Sequence, residues 1–157
     1  MLVDGIIQLM TGQGSIPSKY AAQVAAVGGL LGTDDLDRVT VYEGELPRGY
    51  KLPAVAVHQY NGNQDSDFSG PVDDREDFIQ FDIYGSTAVA ARTLKAAIRA
   101  LFVGSREIPG FLGTLPDGTV VEGIFLERDM DLPFLPHADQ KGIANRTTLG
   151  IRVTSAA

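Results

Sequence analysis

The residues whose types and spacing could do chemistry gather in one acidic stretch, Asp65-Ser-Asp67-Phe-Ser69-Gly70-Pro-Val-Asp73-Asp74-Arg-Glu76. Oxygen donors at alternate positions, a glycine at the sharp turn and an acid at position twelve fit the spacing of a calcium loop. Asp65, Asp67, Ser69, Asp73 and Glu76 would then surround a hard cation. The flanks argue against it, because strand patterns rather than helices lead into and out of the stretch. Phe68 is also an awkward tenant for a tight ligand loop. The reading adopted is an acidic hairpin loop, with a small calcium-binding module as the rival from another class.

A second acidic group, Glu127, Asp129, Asp131 and Asp139, includes one histidine, His137. Metal or acid–base chemistry there would require several side chains to converge across a segment broken by Pro133 and Pro136. The only other histidine, His58, falls in a strand pattern. There is no G-x-S-x-G, no H-E-x-x-H, no phosphate loop ending in G-K-[ST] and no complete G-x-G-x-x-G. Gly12-Gln-Gly14 has Pro17 where the third glycine would fall. The expectation is a protein without catalysis, metal or cofactor.

The elements that must position these residues start with a strand running into a helix. Ile79, Phe81 and Ile83 alternate with Gln80, Asp82 and Tyr84, the period of a strand with one buried face. Gly85 breaks the pattern and Ser86 is a suitable N-cap for a helix over about 86–103. On that helix Ala90, Ala91, Leu94, Ala97, Ile98, Leu101 and Phe102 fall within an arc of about 140°. Arg92, Lys95 and Arg99 lie on the other side, a basic ridge that is a solvated face or a contact for an acidic neighbour.

Elsewhere Leu2 to Met10 reads as a short helix, and Ser18 as the cap of a second one stopped by Gly28-Gly29. Asp34, Asp35 and Asp37 mark a solvated turn. Strand patterns occupy 39–42, 54–60, 120–127 and 147–153, and 61–76, 104–118 and 129–141 read as loops. The expected fold is α+β. It is one domain over 1–157, with a mainly antiparallel sheet of about five strands, two or three helices, and the 86–103 helix packed on the sheet. A helical region over 1–33 precedes a sheet-and-helix core over 38–155.

Composition narrows the function classes. Apolar residues make up 44% and charged residues 21% of 157, values of an ordinary globular chain. The net charge is −7, from 20 acids against 13 bases, so a phosphate backbone is repelled and specific nucleic-acid binding is not expected. Without cysteine there are no disulfides and no thiol chemistry. Val24 to Gly32 is too short and glycine-rich to span a bilayer, and Met1-Leu-Val-Asp-Gly lacks a basic signal-peptide start. A soluble, non-exported protein with no membrane partner is expected.

In order and texture these elements resemble the tail terminators, a family of tail-completion proteins of long-tailed bacteriophages. The likeness runs through Val39-Thr-Val-Tyr42, the proline-bounded Pro53-Ala-Val-Ala-Val-His58, Ser69-Gly70-Pro71, Phe78-Ile-Gln-Phe-Asp-Ile-Tyr84 with its Ala-rich helix, Val121-Glu-Gly-Ile-Phe-Leu-Glu-Arg-Asp129, and the final strand. The segment Leu132-Pro-Phe-Leu-Pro-His137 and the N-terminal region to Asp37 fit it less well. The resemblance implies an α+β subunit of a ring, typically a hexamer, at the head-proximal end of the virion tail, assembled in the bacterial host cytoplasm. Its partners would be other copies of itself, the tail tube protein and the head–tail connector protein, with DNA only passing through the lumen. A connector or adaptor protein is the nearest alternative. Interface candidates are the basic Arg92, Lys95 and Arg99 against the acidic Asp65, Asp67, Asp73 and Asp74, with the 61–76 loop expected to project towards the tube or lumen.

Overall fold

The computed structural model describes residues 2–67, 70–131 and 145–156, and for 61–67 and 70–74 the backbone alone. Its centre is the strand that alternation marked in the sequence, β3 (Gly70–Gly85), flanked by β2 (Ala54–Asp67) and β6 (Asn145–Ala156). Both neighbours are antiparallel to it, with Phe81 opposite Val57 on one side and Leu149 on the other. The sheet continues through β5 (Val120–Asp131) to β4 (Gly113–Thr114). On its other margin β1 (Val41–Glu43) runs parallel to β2. The order is β1-β2-β3-β6-β5-β4, and every pair except β1–β2 is antiparallel. The α+β class expected from the sequence is the class found.

The helices α1 (Leu2–Met10), α2 (Ala21–Leu30) and α3 (Ala88–Phe102) enclose the core with one face of this sheet. Ile79, Phe81 and Ile83 point into that core, as the period-2 pattern requires, with Val55, Val57, Leu149, Ile151 and Val153 beside them. From α3 come Leu94, Ile98, Leu101 and Phe102, and the Phe102 ring stacks on Phe81 with centroids 5.4 Å apart. Burying one such ring contributes about 3 kcal/mol. α1 adds Leu2, Val3, Ile6, Leu9 and Met10 from its apolar stripe, while α2 buries only Val24 and Val27.

Several boundaries differ from the sequence reading for identifiable reasons. The N-cap of α3 is Thr87, not Ser86: its hydroxyl accepts from the Ala90 amide at 3.0 Å, so the helix begins at Ala88. Gly28 and Gly29 do not end α2, which continues to Leu30 before Leu31 turns extended. A 3-10 turn over Ser18–Tyr20 stands where the start of that helix was expected. Most of the expected 61–76 loop is sheet, because β2 and β3 continue as a hairpin ladder to the pair Asp67–Gly70. β5 runs on to Asp131, past the loop start expected at Asp129, and β4 was not foreseen.

The chain leaves α3 through a tight turn in which Gly104 (φ 83°) is bridged to Pro109. Gly110 follows, and a Cβ there would sit 2.1 Å from the Phe102 carbonyl oxygen, so no other residue fits without moving backbone. Phe111 is thereby set against Tyr20, whose hydroxyl accepts from the Leu112 amide at 2.9 Å.

Candidate assembly surface

α3 faces the sheet with its apolar stripe, and its flank reaches β5. Lys95 donates to Asp129 at 2.7 Å and to Asp131 at 2.9 Å, and Arg99 donates to the other oxygen of Asp129. Two members of the basic ridge therefore meet acids of the same chain. Lys95 is the more enclosed, with its side chain only 12% exposed. Burial alone would lower its pKa, but the hydrogen bonds to Asp129 and Asp131 outweigh burial and raise it. The same contact with Lys95 is the main cause holding both Asp129 and Asp131 below the ordinary carboxylate value, helped by Arg99 at Asp129 and by Thr147 at Asp131. Arg92 is exposed and donates to the Ala88 carbonyl of its own helix at 3.3 Å.

The side chains of Asp65, Asp67, Asp73 and Asp74 lie outside the described residues, as does Ser69 entirely. Their backbone, where described, is extended ladder rather than the curled path of a cation loop, with Ser66 opposite Pro71 and Asp67 opposite Gly70. Glu76, the last of the calcium-loop candidates, is 3.9 Å from Arg152. Among the described residues no group of three His, Asp or Glu side chains is placed to hold a metal. His137 and Asp139 lie outside the described residues. Glu127 is 3.4 Å from Arg152 rather than beside Asp129.

The opposite face of the sheet carries polar groups that the sequence reading passed over. Asp82 is buried there and gathers His58 (3.1 Å), Thr148 (3.1 Å), Gln80 (3.0 Å) and Arg146 (3.5 Å). Alternation placed Asp82 on the outer face but said nothing of register, and register is what sets it beside Ala56 and Thr148. Exposed Tyr60, Phe125 and Met130 share this face, and Arg152 lies over the Phe125 ring at 4.9 Å. Asp34, expected in a solvated turn, is also buried. It accepts from the amides of Leu36 and Arg38, from the Arg38 guanidinium and from the Tyr42 hydroxyl.

Among the described residues both margins of the sheet are open for most of their length. β1 covers β2 only at Val55–Val57, where the Gly44 amide also bonds the Val57 carbonyl. β4 covers β5 only at Val120 and Val121. Among the described residues no strand or bridge pairs with the outer edge of β2 over 58–67 or of β5 over 122–131. Nor is any helix among them long and apolar enough to cross a membrane.

No protein-family model matches the sequence, and no curated protein matches it. Among solved structures the chain is similar to one from the virion of a native gene transfer agent particle. The two share 17% identity and a TM-score of 0.46, covering 87% of this chain and 86% of that one. At that level the likeness carries no functional weight.

Proposed function

We propose that this chain is a structural subunit of a tailed, phage-like virion, and specifically a tail terminator: one copy of a ring that caps the tail tube, ends its polymerisation and offers the head-joining surface. The observation that carries the reading is the order of elements. The strands and the Ala-rich helix that gave the sequence its family likeness belong to one sheet with helices on one face. Such a sheet leaves a second face and two margins for neighbours, which suits a part that works by contact. The role asks for no catalysis and no cofactor. Partners are other copies, the tube protein and the connector protein.

Deleting the gene from the genome that carries it, then measuring tails by negative-stain microscopy, tests the reading. Overlong tails without heads are expected. Tails of normal length that fail to join heads would transfer the chain to the connector class, and normal particles would end both readings.

A further inference from the structure

We infer that copies of this chain join edge to edge, the free edge of β2 in one copy adding as an antiparallel strand to the free edge of β5 in the next. The inference rests on the assembly reading above and names the surface that would perform it. β2, β3, β6 and β5 alternate in direction across the sheet. A second copy laid alongside in the same orientation therefore presents its β2 to β5 running the opposite way, which continues the alternation. The two edges differ, so the contact is heterologous and repeats in one sense, the arrangement that forms a ring when its rotation closes.

The blocked ends of the two edges also match. β1 covers β2 at its start and β4 covers β5 at its start, and these lie at opposite ends of the sheet. Across one copy His58 lies level with Gln80, Gly150 and Arg128. Sliding the incoming copy by about two residues, roughly 7 Å, keeps facing side chains on the same face. His58 then stands opposite Met130 and Tyr60 opposite Arg128. With that offset each free stretch ends close to where the other is blocked, and closed sheets generally carry such a stagger.

The residues on the two edges favour pairing. Long edges are normally guarded by charge, proline or brevity. From 58 to 64 the β2 edge reads His58-Gln-Tyr-Asn-Gly-Asn-Gln64, with no carboxylate, lysine, arginine or proline, and the carboxylates Asp65 and Asp67 come only at its far end. The β5 edge is acidic, but Glu127 is held by Arg152, and Asp129 and Asp131 are held by Lys95, all within the chain. A strand unguarded over 58–64, facing one whose Glu127, Asp129 and Asp131 are already paired, is a surface prepared for a strand.

The chain has no cysteine, so a double variant, Tyr60→Cys with Arg128→Cys, reports the contact directly. Within one copy the two positions are three strand spacings apart, roughly 14 Å, beyond the reach of a disulfide. Mild oxidation of the purified double variant is expected to give a ladder of linked dimers, trimers and higher species, and neither single variant should do so. A urea midpoint unchanged from the parent would confirm that both substitutions leave the fold intact. A Tyr60→Cys variant that links as well as the double variant would show like edges meeting and overturn the inference. Rings visible in the microscope without a ladder, or a chain that stays monomeric at millimolar concentration, would overturn it too. The tail-length experiment is independent: a ladder with normal tails keeps the edge contact and removes the terminator, and overlong tails without a ladder do the reverse.

Discussion

The Lys95 ammonium lies 2.7 Å from Asp129 and fastens α3 to the far half of β5. From Phe125 to Asp131 every residue of that strand is exposed, and none of its apolar side chains belongs to the buried core. The ion pair, with Asp131 and Arg99 beside it, takes their place. Because Lys95 is largely enclosed, the contact should be worth more than a surface pair and less than a fully buried one.

Asp129→Asn is accordingly expected to cost about 1–2 kcal/mol, read from the urea midpoint. Lys95→Met, which keeps the apolar stem, should cost a similar amount. The double variant should lose less than the sum, since both changes remove one contact. Strict additivity would mean that the pair is not coupled.

Arg92 separates an assembly role from a folding role for the ridge. Reversing Lys95 or Arg99 to Glu sets a carboxylate against Asp129 and damages the fold itself. Among the described residues Arg92 donates to the Ala88 carbonyl of its own helix and adds only a minor attraction at Asp131. Arg92→Glu should therefore leave stability within about 0.5 kcal/mol. If the ridge meets an acidic surface of a neighbour, self-association measured by sedimentation should weaken, most clearly at low salt. Unchanged association at low salt would remove Arg92 from the interface.

Acid should unfold the chain partly through Asp34. Burial alone would raise its pKa, but four hydrogen bonds outweigh burial and bring it from 3.8 to about 2. A depressed folded-state pKa gives stability that is present above the ordinary value and lost as pH falls through the folded one. The urea midpoint should thus drop between about pH 4 and pH 2. Asp129 and Asp131, also depressed, act in the same direction. Asp34→Asn should flatten part of that acid limb; an unchanged limb would mean that Asp34 keeps its ordinary pKa.

At the alkaline end the sign reverses. Burial and the hydrogen bond to Asp34 raise Tyr42 to about 12. Its contribution is complete below the ordinary value of about 10 and fades as pH rises through the folded one. Tyrosinate absorbance should show a late-titrating group that disappears in Tyr42→Phe.

Gly110→Ala is expected to destabilise by about 2–3 kcal/mol, measured by thermal melting, because the added carbon meets the backbone of Phe102. Gly29→Ala should do the opposite by a few tenths of a kcal/mol or more, since its Cβ would enter open space.

Ile79, Phe81 and Ile83 were legible as a buried strand face because alternation is a local signal, and the apolar arc of α3 because 3.6-residue periodicity is another. The Lys95–Asp129 pair was not, since it joins an element to a strand thirty-four positions on, and charge carries no register. Asp34 was misread for the same reason: a run of aspartates suggests solvent, and only the Tyr42 and Arg38 groups folded over it make it internal. The hairpin beyond Tyr60 was read as a loop because its residues are polar and glycine-bearing, while the ladder to Asp67 is carried by backbone bonds.

The place of β6 has a consequence for timing. β5 and β4 touch the rest of the sheet only through β6, the strand that arrives after them in the sequence. While the chain is being synthesised, β2 and β3 can pair as soon as both emerge, whereas Phe81 must wait for Leu149. Until then β5 has no sheet to be the edge of. A nascent or truncated chain would carry only one of the two unlike margins. If copies join through these margins, as inferred above, unfinished ones would end a growing series of subunits but never extend it.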